Sequence, residues 1–337
     1  MLVPFVLMDK NSARIIEHDR SNHIGETISQ SKIMKSVKFK NLNGNGVEIA
    51  AVLNYPAGFN EELQYAAVVV SHPGGGVKEQ TAGLYAQLLA EQGFITIAFD
   101  RSYQGESSGE PRQLENPFVS TEDVSAVIDF LTTLSYVDKD RIGVMGICAG
   151  AGYSANAAIN DRRIKALGMV SAVNIGQMFR NGWDNSVKDV DAVGLLEMGS
   201  NARTSDASGP SFATLPLAPM KKEDAPNAEL EEAWEYYHTP RCEHPNAPGY
   251  TLARCLSQII SYDAYNKAEA FLTQPILAVV GSAAGSKWMS DDLIARAASK
   301  DKHMHIVEGA NHMSLYDVPH HVNDAASKLA TFFNMHL

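Results

Sequence analysis

The chain has no CxxC pair and only three cysteines, Cys148, Cys242 and Cys255, an odd number that leaves at least one thiol outside any intramolecular disulfide. That usage fits a reducing compartment, and a cytoplasmic location is expected. Positive charge is also scarce: 28 Lys and Arg against 39 Asp and Glu give a formal net charge of −11. A surface of that sign repels phosphate backbones and anionic lipids, so neither nucleic acid nor a membrane is an expected partner. No run of about 18 apolar residues occurs, which excludes a spanning helix. The opening MLVPFVLM is short, is broken by Pro4 and has no basic segment before it, so no signal peptide is expected. What the sequence does have is 45% hydrophobic residues over 337 positions, enough for a large buried core. Length leaves room for two domains or one with an insertion.

Residues 1–35 carry little apolar periodicity and read as an N-terminal arm. Val37 to Leu42 and Val47 to Asn54 flank Asn43-Gly44-Asn45-Gly46, a pattern that predicts a hairpin because Asn-Gly pairs adopt positive φ readily. Short β-branched runs then recur at Ala66–Val70, Phe94–Phe99, Ile142–Ile147, Ala166–Val173 and Ile276–Val280. Such runs suit strands buried on both faces. Helix-length amphipathic segments lie among them at Leu84–Gln92, Thr121–Leu134, Ala149–Ile159 and Asp291–Ser299. Alternation of this kind predicts an α/β protein with a parallel sheet. The rhythm stops between residues 176 and 257, which hold Trp183, Trp234, Tyr236, Tyr237 and a helical stretch. This segment reads as a cap inserted into a core made of 36–175 and 258–337, or else as a second small domain remote from any site.

The sharpest local pattern is Gly146-Ile147-Cys148-Ala149-Gly150, which follows a buried strand and opens a helix. That is the setting of a nucleophile elbow, with cysteine where serine is more usual. So sharp a turn requires small neighbours, and the helix behind it aims N–H groups at the sulfur, which favours thiolate. The loop His72-Pro73-Gly74-Gly75-Gly76 follows the first buried strand. Gly74 or Gly75 there, with the N–H of Ala149, forms a candidate oxyanion hole; the loop lacks the spacing of a phosphate-binding P-loop. His312, past the last apolar stretch, stands where the base belongs in the order nucleophile, acid, base. The acid should follow Ile276–Val280, yet no carboxylate appears before Asp291 and Asp292. Asp291 is taken as the candidate, with Asp292, Asp263 and Glu106 as alternatives; Ser290 reads as an N-cap that gives both Asp residues an ordinary structural role. A cysteine and histidine dyad needs no acid at all. His303, His305, His320 and His321 form no metal-binding spacing, and no metal or cofactor is expected.

Taken together, the His72-Pro-Gly-Gly-Gly loop, the Asp100 to Ser107 loop, the Cys148 elbow and the segment Gly-Ala-Asn-His312-Met-Ser-Leu-Tyr resemble the α/β-hydrolase superfamily, and most closely its dienelactone-hydrolase-like branch with a Cys nucleophile. The resemblance implies an eight-stranded, mostly parallel sheet with the catalytic groups at strand C-termini. It makes Cys148 the nucleophile, His312 the base, and the N–H groups of Ala149 and the Gly74 region the oxyanion hole. The expected activity is hydrolysis of an ester, lactone or thioester of a small acyl substrate. The same scaffold also suits an acyltransferase or a non-catalytic binding protein, and the chain leaves room for a homo-oligomer.

Overall fold

The structure is a computed structural model that describes residues 34–337; the expected arm, up to residue 33, lies outside the described residues. The hairpin forms from β1 (Met34–Lys40) and β2 (Glu48–Asn54), paired antiparallel with Phe39 opposite Ile49. Next come β3 (Tyr65–Ser71), α1 (Thr81–Ala90), β4 (Ile95–Phe99), α2 (Pro117–Leu131), β5 (Val137–Ile147), α3 (Ala149–Asn160) and β6 (Ile164–Val170). After the segment between them, β9 (Ile276–Gly281) and β10 (Lys302–Val307) complete an eight-stranded sheet in the order β1-β2-β4-β3-β5-β6-β9-β10. From β4 onward every pairing is parallel.

The burial pattern explains the sheet. β3, β4 and β9 are apolar along almost their whole length because helices cover both faces. Ala67 and Val69 of β3 face a core shared with Val124, Val127 and Leu131 of α2 and Tyr153 of α3. Val68 and Val70 face the opposite core, with Tyr85 and Leu89 of α1 and Leu329 and Phe333 of the C-terminal helix Pro319–His336. The two-residue period of a strand thus divides one run between two cores. α2 starts earlier than its apolar pattern suggests, since Asn116 accepts N–H bonds from Phe118 and Val119 and Pro117 occupies the first turn.

Two expectations about local structure are corrected. The helix predicted at Asp291–Ser299 with Ser290 as its cap runs instead over Lys287–Arg296, with Ser290 buried in its interior beside Met289 and Leu293. The core-facing side includes that serine, so the amphipathic pattern begins one turn earlier. β10 shows in the sequence only as a short apolar stretch, because every residue of it except Val307 is exposed or half-buried beside β9.

The segment between β6 and β9 contains α4 (Ile175–Asn181), α5 (Val193–Ser208), a two-stranded ribbon of β7 (Thr214–Pro216) and β8 (Tyr250–Leu252), and α6 (Ala228–His238). α5 had no sequence signal: only Gly199 and Ala202 are buried along it. Among the described residues no helix is long and apolar enough to cross a membrane.

Candidate active site

Cys148 sits between β5 and α3 with φ 55° and ψ −125°, a conformation that L residues avoid. Hydrogen bonds hold it there: its N–H donates to Val170 O at 3.0 Å, and its carbonyl accepts from Ala151 and Val173 at 3.0 Å each. The neighbouring glycines are obligatory. A Cβ on Gly146 would stand 2.2 Å from the Gly150 backbone, and one on Gly150 would stand 2.4 Å from Ser71 O. The half-buried thiol shares its cavity with Ala149, Gly74 and Tyr316. Burial pushes its pKa up, and the donors those three residues offer offset the rise only in part. The helix N-terminus therefore does not bring the thiol below its usual pKa, because burial outweighs it. Gly75 makes the turn, with φ +72° against Leu217 of the inserted segment.

A buried polar network braces the donor loop. Arg101, fully buried, donates from Nη1 to His72 O at 2.6 Å and from Nη2 to Pro73 O at 3.3 Å, to Gln104 Oε1 at 3.0 Å and to Glu115 Oε2 at 3.4 Å. Its guanidinium lies 5.0 Å from the Tyr153 ring centroid, and the Tyr153 hydroxyl donates to Glu115. Burial, reinforced by the Arg101 charge, keeps His72 neutral by lowering its pKa well below the usual value. Its Nδ1–H then donates to Pro73 O at 2.8 Å while Nε2 accepts the Arg101 N–H at 3.3 Å.

His312 follows β10 and is buried. Its backbone N–H donates to Glu229 Oε1 of α6 at 2.7 Å, and its carbonyl accepts from Ser171 Oγ at 3.2 Å. The ring packs edge-on against Trp183, with centroids 4.7 Å apart. Nδ1 lies 2.6 Å from Ser286 Oγ and Nε2 lies 3.1 Å from the Tyr316 hydroxyl. Burial lowers the pKa to about 3.

None of the four carboxylates considered from sequence reaches that ring. Asp291 pairs with Lys287 at 2.7 Å on the exposed side of its helix. Asp292 accepts from Gln177 at 2.8 Å and lies 3.4 Å from Arg296. Asp263 bonds Asn174 at 2.8 Å and Arg296 at 2.9 Å. Glu106 is held by Lys78 at 2.7 Å, which keeps its carboxyl below the usual range. Lys78 also contacts Asp100 at 2.8 Å and Glu79, so an ammonium already fills the point where these three carboxylates converge. Ser286 occupies the place after β9 where the acid was sought.

With this geometry in view, the comparison with known proteins is decisive at the level of family: the family model described as "Serine aminopeptidase, S33" matches residues 64–319. The chain belongs to this family of α/β-hydrolases. Among its relatives, the uncharacterized protein YcjY of Escherichia coli is 67% identical over 297 residues, covering 88% of this chain and 97% of that one. The crystal structure of hypothetical protein PA2218 from Pseudomonas aeruginosa superimposes with a TM-score of 0.84 at 34% identity, over 92% of this chain and 96% of that chain. The thiohydrolase aneE of Aspergillus aculeatus is 29% identical over 158 residues, 46% of this chain and 48% of its own.

The segment between β6 and β9 reaches the site. Cys148, Ala149 and His312 line a narrow, mainly apolar cavity of about 50 Å³ together with Met178, Trp183, Leu217 and Tyr237. Of the aromatic residues singled out from sequence, Trp183 and Tyr237 line it, Tyr236 packs T-shaped on Tyr316 at 5.1 Å, and Trp234 is half-buried outside the lining. Sequence reasoning missed Ser286, Glu229 and Tyr316. A search for carboxylates alone passed over Ser286, and Tyr316 had no helical spacing to mark it, since His312 lies before the short helix Ser314–Asp317.

Proposed function

We propose that the protein is an acyl-thioester or ester hydrolase that works through a covalent acyl-cysteine. The observation that carries this reading is the position of Cys148 Sγ on a strained elbow, facing the N–H groups of Ala149 and Gly74, in one cavity with His312. Use of cysteine at the elbow is the feature shared with the dienelactone-hydrolase-like branch. Sγ attacks the carbonyl carbon, its proton passes to the His312 side, and the two amides stabilise the tetrahedral oxyanion. Collapse expels the alcohol or thiol, which takes the proton from the imidazolium. Water then attacks the thioester with His312 as base, and the free acid leaves while Cys148 regains its proton.

Apolar lining favours an uncharged acyl chain, and the small cavity favours a short one. The likeness to a thiohydrolase supports thioesters as a substrate class. An acyl-cysteine forms from a thioester by exchange of one C–S bond for another, so a thioester asks less of a weak base than an ester does.

The test compares wild type with Cys148→Ala and Cys148→Ser on a short series of p-nitrophenyl esters and acyl thioesters, with intact mass recorded during turnover. The expected result is turnover, loss of it in Cys148→Ala, and an acyl mass increment confined to chains that retain Cys148. Turnover surviving in Cys148→Ala would overturn the reading. Product formed only after an alcohol or amine is added would move it to acyl transfer.

A further inference from the structure

We propose that Tyr316 is a catalytic residue, a proton relay whose hydroxyl links Cys148 Sγ to His312 Nε2. This rests on the acyl-cysteine reading above and adds the route by which the thiol loses its proton. Tyr316 lines the same cavity as Cys148 and His312, and its hydroxyl stands 3.1 Å from His312 Nε2. The phenol thus shares one cavity with both the sulfur and the imidazole and is in hydrogen-bond contact with the latter. His312 and Tyr316 are four residues apart, and the short helix Ser314–Asp317 brings the phenol back over the imidazole.

Donor directions form a consistent chain. With Nδ1–H donating to Ser286 Oγ, Nε2 is left as an acceptor for the Tyr316 O–H. The phenol oxygen then accepts from the Cys148 S–H. Tyr236 packs edge-on against the Tyr316 ring and Tyr237 lines the same cavity, so aromatic neighbours confine the phenol. As substrate is attacked, the S–H bond breaks and a new O–H bond forms on Tyr316, while its original O–H proton moves to Nε2. Sulfur bonds to carbon, His312 becomes imidazolium, and Tyr316 ends as it began, a neutral phenol. Burial disfavours a free phenolate, which requires the two transfers to be concerted.

The experiment measures pre-steady-state release of p-nitrophenol by wild type, Tyr316→Phe and Cys148→Ala. Tyr316→Phe is expected to lower the acylation rate by about 100-fold or more, the usual scale of acid–base assistance, with KM within about threefold of wild type. A proton inventory of acylation in wild type, taken in mixtures of light and heavy water, is expected to be bowed, because two protons move together. Because the inventory uses the unaltered chain, it decides even if the variant folds poorly. An acylation rate within about threefold of wild type in a folded Tyr316→Phe protein, or a straight inventory, would overturn the relay. If Cys148→Ala is inactive in that case, the acyl-cysteine reading stands and only the relay falls; if Cys148→Ala keeps the burst, both fall.

Discussion

Ser286 Oγ stands 2.6 Å from Nδ1 of His312, and both residues are buried. A hydroxyl at this position orients the imidazole but brings no negative charge to balance an imidazolium. With burial lowering the His312 pKa to about 3 and raising that of Cys148, the pair rests as neutral thiol and neutral imidazole. A thiolate then forms only as substrate arrives and the two amide donors have an oxyanion to hold. Ser286→Ala leaves one ring nitrogen buried without a partner, at a cost of about 1–3 kcal/mol. We expect kcat/KM to fall about tenfold or more, with Ser286→Thr retaining most of it, measured on the best p-nitrophenyl ester.

Stability should depend on pH through His312. The unfolded side chain titrates near 6.5 and the folded one at about 3, so within that window the unfolded chain holds a proton that the folded chain lacks. Stability therefore falls as pH drops from 6.5 toward 3, by up to about 1.4 kcal/mol per pH unit from this residue. Urea unfolding of wild type and His312→Gln between pH 7 and pH 5 should show a flatter dependence in the variant. Equal slopes would mean that His312 takes up its proton normally in the folded protein.

Glu229 ties the inserted segment to the histidine loop. Its carboxylate accepts from His312 N–H at 2.7 Å, from the Trp183 indole at 2.6 Å and from Gly285 N–H at 3.2 Å. Glu229→Ala deprives all three donors of a charged acceptor, and we expect a lower Tm and faster amide exchange across residues 309–317. Glu229→Gln, which keeps two of the contacts in shape, should fall between it and wild type. Unchanged exchange in the alanine variant would show that the loop is held from the core alone.

Arg101 and Glu115 are both fully buried and 3.4 Å apart beneath the donor loop. Arg101→Met strands the Glu115 charge and releases the carbonyls of His72 and Pro73, so a loss of about 3–5 kcal/mol is expected. Adding Glu115→Gln should restore much of the stability, because the uncompensated charge is gone. It should not restore full turnover, since the Gly74 amide still lacks its brace. Denaturant midpoints and kcat for both variants check this.

The elbow was readable because it is local: a buried strand, two glycines that cannot carry a Cβ, a cysteine and a helix follow one another within a dozen residues. The Gly74 donor was readable for the same reason, as a glycine loop directly after a fully apolar strand. The state of the thiol was not. Its helix N-terminus argued for ionisation, but the loss of solvent around the sulfur outweighs it, and the packing of inserted residues such as Tyr237 and Leu217 decides how much solvent remains. Asp291 failed for a geometric reason: the helix that carries it starts at Lys287, and Asp291 lies on its outer side.

By itself, the sequence determined a parallel α/β sheet and the presence of Cys148 and His312 on loops beyond its strands, because strand burial, glycine spacing and chain order are properties of neighbouring residues. Only the tertiary structure decided what surrounds them. Ser286 meets His312 from 26 residues away and Glu229 from 83, through contacts between loops and an insertion that no local periodicity encodes. Desolvation of the thiol and imidazole likewise depends on every chain segment that closes over the cavity, so it exists only once the fold is complete.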